Sequence, residues 1–196
     1  MLFSNPTSLN KKPASEIMQE ASGNFQSLIQ WINLAKGSYS DTGYYALFNG
    51  IYIIDTLLKT ELKPELSNKT ANDHLRVLTE QTLNQINDLA YSHYPYGAWR
   101  QHILQLRNKT DFTDLGSWLS DSELISLIEK ERSTGLLKHL DVSILLVEYS
   151  DLDAVISQKN TNNRIILVND CGYWMTLVSY KPKSVVENFW LGAWAV

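Results

Sequence analysis

The hydrophobic period of the chain changes near residue 140, and this change restricts the folds that the chain can adopt. Before that point apolar residues recur at steps of three and four, as on amphipathic helices. After it, short β-branched and aromatic runs are separated by turn residues, a pattern typical of strands. These runs are VSILLVEYS, RIILVND, YWMTLVSY and VVENFWLGAW. Helices first and strands last indicate an α+β domain, with N-terminal helices packed on a C-terminal, mostly antiparallel sheet.

The helical part divides into several segments. Residues 15–34 predict one amphipathic helix or two short ones, and the run 44–58 is apolar on nearly all sides, which favours a buried helix because strands usually span only ~4–8 residues. Further helices are predicted over 66–94 and 96–108. Ser120 and Glu123 have the spacing of a capping box and predict the start of another helix. The segment DLDAVISQK fits a short helix between the first two strands.

Composition narrows the classes of protein to consider. The chain has 196 residues, a net charge of −4 and no basic run longer than two residues, so a nucleic-acid partner is not expected. No apolar run is long enough to span a membrane, and the single cysteine, Cys171, excludes an intrachain disulfide and a cysteine-rich metal site. We therefore expect a soluble cytoplasmic protein without metal or cofactor. Residues 1–15 read as a mobile arm, and 16–196 as one domain.

Three short stretches together resemble a known family. DTGYYALFNGIYII resembles the nucleophile helix of papain-like cysteine peptidases, especially their deubiquitinase-like branches, in which Asp or Ser precedes Cys-Gly-Tyr-x-Ala-Leu-x-Asn. NDCGYWMTLVSY resembles the family's histidine strand, in which Gly-His-Trp precedes alternating apolar residues. LGSWLSDSELISLIE, between them, resembles the segment that precedes the peptidase sheet. The resemblance implies a papain-like fold over most of residues 37–194.

The sequence departs from the family at the positions that carry the chemistry. Thr42 stands at the nucleophile position and Tyr173 at the position of the general base. Lys36 lies near the place of the glutamine that supports the oxyanion, and Asn188, or less favourably Glu187, matches the third member of the triad. A threonine hydroxyl needs a base to take its proton, whereas a tyrosine phenol keeps its own proton near neutral pH. The resemblance therefore implies a pseudoenzyme.

A pseudoenzyme of this family is expected to keep its cleft as a protein-binding surface. The resemblance points to ubiquitin or a ubiquitin-like modifier as the partner. It places Trp174 beside the cleft and Thr42 and Tyr173 at its floor, with Trp118 as a further binding residue. Aromatic side chains often supply the anchors of protein interfaces. Trp174 is equally compatible with a place in the core.

Two other functions fit the same sequence. One is an active transferase, deamidase or peptidase of related fold with a rebuilt site that uses Cys171, although no helix terminus is available there to favour a thiolate. The other is a non-enzymatic adaptor or structural subunit. The four histidines show no close pairing typical of a zinc site; they are His74, His93, His102 and His139. The sequence does not indicate an oligomeric state.

Overall fold

In a computed structural model, the described residues are 29–32, 41–59, 94–110, 118–158, 162–180 and 189–194. They form four helices: α1 (Thr42–Lys59), α2 (Tyr96–Leu106), α3 (Asp121–Thr134) and α4 (Leu152–Ser157). They also form five strands: β1 (Ile29–Ile32), β2 (Ser143–Glu148), β3 (Arg164–Asp170), β4 (Tyr173–Tyr180) and β5 (Phe189–Trp194). The α+β class predicted from the change in period is confirmed.

The five strands form one mixed sheet in the order β1-β5-β4-β3-β2. The central pairs β3–β4 and β4–β5 are antiparallel, whereas β1–β5 and β2–β3 are parallel. The C-terminal strands β2 to β5, predicted to be mostly antiparallel, have two antiparallel pairs and one parallel pair, and the sheet as a whole is mixed. The parallel pair β2–β3 follows from the connection that contains α4, because parallel neighbours need a crossover that returns the chain to the same end of the sheet.

Strand β1 corrects a second expectation. Residues 15–34 were predicted to be helical, but Ile29–Ile32 pair with β5 in the register Ile29–Trp190 to Ile32–Ala193. This strand is only four residues long, which is too short for the spacing of its apolar residues to distinguish a strand from a helix. Pairing with β5 decides the conformation. The rest of that predicted helix lies outside the described residues, as do the arm 1–15 and most of the helix predicted over 66–94.

Helices cover both faces of the sheet. Alternating residues of β3 and β4, among them Ile165, Leu167 and Val178, face a large core shared with α1, α2 and α3. The intervening residues, such as Ile166 and Leu177, pack with α4 through Leu152 and Ile156 in a smaller core. Because both faces are covered, β3 and β4 are buried along most of their length.

Helix α1 lies directly on the sheet. Its buried residues extend from Thr42 to Leu57 and are mostly apolar or small, so the helix is enclosed on most sides, as the sequence predicted. At Gly50 the helix backbone approaches the sheet so closely that an added Cβ would lie 2.5 Å from Ile165 Cγ2 and 2.7 Å from Thr176 Oγ1. This glycine therefore sets the distance between α1 and strands β3 and β4.

A two-residue turn joins β3 to β4. Asp170 pairs with Tyr173, and the two residues between them, Cys171 and Gly172, have φ of 51° and 91°. Positive φ at both positions is the signature of a type I′ hairpin turn, whose twist matches that of the strands. The Gly172 N–H donates to Asn169 Oδ1 at 2.8 Å. The turn fixes Tyr173 as the first residue of β4, at the end of the sheet where α1 begins.

Candidate functional site

The start of α1 meets the start of β4. The pairing of β4 with β5 is described as far as Met175–Trp194. The Trp174 backbone N–H donates to Thr42 Oγ1 at 3.3 Å, in the buried interior. Thr42 is the first residue of α1, and Tyr173 directly precedes Trp174. The structure thus brings Thr42 against the backbone of Trp174, the neighbour of Tyr173. Because successive side chains of a strand point to opposite faces and Trp174 faces α1, the Tyr173 side chain points to the other face of β4.

The first turn of α1 packs against the segment that precedes α3. A Cβ added to Gly43 would meet Leu119 Cδ1 at 3.0 Å and Trp174 Cδ1 at 3.3 Å, so both side chains lie against this turn. Thr42 and Trp174 are each only 1% exposed, and Leu119 is also buried. Thr42 is therefore closed off from solvent, and its hydroxyl accepts a structural hydrogen bond.

Trp118 covers the adjacent hairpin turn. Its ring lies so close above Gly172 that any side chain at this position would collide with it. The rings of Trp118 and Tyr173 have centroids 6.3 Å apart and planes inclined by 37°. Trp118 remains 38% exposed, and Tyr173 is half-buried. We call the exposed aromatic area formed by Trp118 and Tyr173 the Trp118–Tyr173 surface.

An ion pair holds Trp118 in place. The Arg107 guanidinium, just after α2, makes two hydrogen bonds to the Glu123 carboxylate, one of them between Nη2 and Oε2 at 2.9 Å. Its Nη2 also donates to the Trp118 carbonyl oxygen at 3.0 Å. Glu123 in turn accepts from the Ser120 backbone N–H at 2.8 Å, and the Glu123 N–H donates to Ser120 Oγ, which confirms the predicted capping box. The segment 118–120 is thereby fixed between α2 and α3.

Glu123 has a pKa that reflects this network. Burial raises the pKa of its carboxyl, but hydrogen bonds from Arg107 and Ser120 and the charge of Arg107 together outweigh burial. The pKa therefore lies below the ordinary value of 4.5. The charged form of Glu123 is the one that the fold uses.

The residues around Thr42 have structural partners of their own. Asp41 accepts a hydrogen bond from the Tyr96 hydroxyl at 3.0 Å. Tyr44 meets Tyr96 edge to face with centroids 5.4 Å apart, and Tyr45 stacks on Tyr94 at 4.8 Å. Burial, followed by the nearby Tyr96 oxygen, raises the pKa of Tyr44, so its phenol stays neutral. The polar and aromatic residues at the start of α1 thus join this helix to the region around α2.

The other candidate reactive groups among the described residues lie in different surroundings. Cys171 is exposed in the hairpin turn. His102 Nε2 lies 2.9 Å from Ser126 Oγ between α2 and α3, and burial followed by Lys130 lowers its pKa. Within the described residues, no group of three His, Cys, Asp or Glu side chains could hold a metal ion.

The predicted site residues divide into three groups. The rings of Trp118 and Tyr173 lie together, and Thr42 contacts the backbone of the residue after Tyr173. Trp174 is close to them, but the expectation that its side chain flanks an open cleft is wrong, because its ring is enclosed by α1 and Leu119 in the main core. Lys36 and Asn188 lie outside the described residues, as do Glu187, His74 and His93.

Two residues that hold this region in place were not among the predicted site residues. Leu119 packs against Gly43 in the first turn of α1, and Arg107 fixes the backbone at Trp118. A basic residue at the end of a predicted helix gives no sign of a partner sixteen residues later. Only Glu123, already assigned to a capping box, could have indicated a carboxylate available to Arg107.

Two further findings concern membrane-spanning helices and similarity to known proteins. Among the described residues, no helix combines the length and apolar character needed to cross a membrane. Comparison of the chain with protein-family models, with curated proteins and with solved structures finds no match.

Proposed function

We propose that this chain is a catalytically inactive, papain-like domain that binds a protein partner, ubiquitin or a ubiquitin-like modifier, at its former catalytic position. The observation that carries the proposal is the hydrogen bond between the Trp174 N–H and Thr42 Oγ1. It joins the first residue of a long buried helix to the strand residue next to Tyr173. The contact supports the proposal because a papain-like nucleophile and base also lie where the start of a helix meets a strand.

The proposed binding site lies on the surface beside Thr42 rather than at Thr42 itself. Thr42 and Trp174 are buried, so neither side chain offers contact area to a partner. The accessible neighbour is the Trp118–Tyr173 surface, which lies directly over the hairpin turn. Its backbone is fixed by Arg107, so little conformational entropy is lost when a partner packs on it. An aromatic pair held in this way has the character of an interface anchor.

A titration of isotope-labelled ubiquitin with the full chain tests this proposal. We expect Trp118→Ala to weaken binding by roughly 10–30-fold, because an aromatic anchor at the centre of an interface contributes about 2 kcal/mol. The measurement is the change in ubiquitin amide chemical shifts with concentration. Circular dichroism of the variant shows that the fold is kept.

Ile125→Ala is the matched control, since Ile125 is an exposed apolar residue, 46% accessible, on α3. We expect this variant to bind ubiquitin like the parent. Equal binding by Trp118→Ala and the parent would refute the surface, and an equal loss in both variants would show that contact is not specific to Trp118.

A further inference from the structure

Within the part of the chain that the structure describes, the second strand forms an edge of the sheet. β2 pairs with β3 alone among the strands that the structure describes, so one of its sides lies at the end of the strand order. The contrast in burial agrees: β3 is buried from Arg164 to Val168, whereas every residue of β2 is partly or fully exposed. β2 nevertheless has the sequence SILLVE, which is apolar in four of six positions. Such an edge is a template for pairing with another strand.

The direction of the backbone groups shows which residues that pairing would use. The Ser143 N–H donates to the Asn163 carbonyl oxygen at 3.1 Å, and Ser143 is in register with Arg164 on β3. In a parallel ladder, alternate residues turn both backbone groups to the same neighbour. Residues 143, 145 and 147 therefore face β3. The N–H and C=O groups of Ile144, Leu146 and Glu148 point to the open edge.

The two ends of this edge carry opposite charges. Arg132, an exposed residue at the end of α3, donates from Nη2 to the Val142 carbonyl oxygen at 3.0 Å, immediately before β2 begins. This bond uses one of the five N–H donors of a guanidinium. Glu148 is exposed at the other end of the strand. Ile144 and Leu146 pack on the main core beside α3, so Glu148, in the same alternation, lies on the face that carries Arg132.

We propose that a second copy of this chain pairs with β2 in antiparallel orientation, which joins the two sheets edge to edge across a two-fold axis. A pairing centred on Leu146 brings Leu146 opposite its own copy and Ile144 opposite Glu148, so all three outward-facing residues form hydrogen bonds. Glu148 of one copy then faces Ile144 of the other copy. Val142 of that other copy, whose carbonyl oxygen binds Arg132, is two residues along the strand, or roughly 7 Å away. The same ion pair forms twice.

Antiparallel orientation follows from these charges. A two-fold axis brings opposite ends of the strand together, and only this arrangement sets Arg132 beside Glu148 at both ends. A parallel copy would place like charges at each end. Pairing through one six-residue strand is small beside the ~1,600 Å² of a standard interface, so the association depends on concentration. This inference is independent of the ubiquitin proposal, because β2 is a different part of the sheet from the Trp118–Tyr173 surface.

Sedimentation equilibrium over a range of protein concentrations tests the pairing. We expect the parent chain to dimerise, and Arg132→Glu and Glu148→Arg each to raise the dimer dissociation constant about tenfold or more, since each creates two like-charge contacts. A mixture of the two variants should restore dimers, because one copy then carries glutamate at both positions and the other carries arginine at both. Restoration by mixing also shows that both variants are folded.

Asp153→Arg serves as a control for net charge. Asp153 is exposed on α4, which packs on the opposite face of the sheet, and its replacement should leave the dissociation constant unchanged. A parent chain that stays monomeric at every concentration would overturn the proposal. So would variants that dimerise like the parent, a mixture that dimerises no better than its components, or an edge that pairs only with extended peptides of other proteins.

Discussion

Replacing Glu131 with alanine is expected to lower the free energy of unfolding by about 3–5 kcal/mol, the largest effect of any substitution considered for this chain. Glu131 lies near the end of α3 and is almost fully buried. Its Oε1 accepts from Trp99 Nε1 on α2 at 2.7 Å, and its Oε2 accepts from the Leu136 backbone N–H at 2.6 Å. The alanine variant leaves the buried Trp99 indole N–H and the partly buried Leu136 N–H without an acceptor and creates a cavity between the helices.

Glu131→Gln separates the hydrogen bonds from the packing. Glutamine keeps the volume, but its amide offers one acceptor where two donors converge, so one N–H group faces another. We expect a loss of about 1–3 kcal/mol, between the parent and the alanine variant. Urea unfolding followed by circular dichroism measures both changes. Glu129→Ala, on the exposed side of the same helix, is the matched control and should change stability by less than about 0.5 kcal/mol. Equal stability of parent and alanine variant would contradict the role of Glu131.

The second large effect is expected for Arg107→Gln. Both members of the Arg107–Glu123 pair have side chains only 14% exposed, so loss of the guanidinium leaves a poorly solvated carboxylate. The variant also loses the bond to the Trp118 carbonyl oxygen. Removal of one partner from a pair of this kind costs about 2–4 kcal/mol at about pH 7.

The pH dependence of this loss has a defined sign. Because the pKa of Glu123 is lower in the folded chain than its ordinary value, its charged form stabilises the fold above that value. The contribution disappears as pH falls through the folded pKa. The difference in unfolding free energy between the parent and Arg107→Gln should therefore narrow from about pH 7 to about pH 3. A difference that stays constant or widens towards acid would show that the pair does not account for the loss.

The sequence was sufficient to predict elements whose signals are local. The apolar run at 44–58 corresponds to α1, the capping box at Ser120 marks the residue before α3, and the four apolar runs after residue 140 contain β2 to β5. These elements depend on side-chain period and on caps formed within four residues. Strand direction is not a local property. The helix predicted between the first two strands was the available sign of a parallel crossover, but a short helix can also join antiparallel strands.

The candidate site shows the same limit. The order of the matching stretches predicts Thr42 beside Tyr173, and the structure brings the backbone N–H of the next residue, Trp174, to Thr42 Oγ1. The exposure of the two tryptophans was not predictable in the same way. Trp174 is flanked by apolar residues on both faces of β4, and Trp118 stands in an irregular segment. Their accessibility depends on Leu119 and on the hairpin turn, which are distant in sequence from α1.

The absence of hydrolytic chemistry is the central claim, and turnover measures it most directly. The measurement is hydrolysis of a fluorogenic amide at the ubiquitin C-terminus by the full chain, beside its Cys171→Ser variant and a buffer control. The account predicts no hydrolysis above buffer for either protein at concentrations where the chain binds ubiquitin. Multiple turnovers by the parent that are lost in Cys171→Ser would contradict it, because they would show an active enzyme with a rebuilt site at the β3–β4 turn.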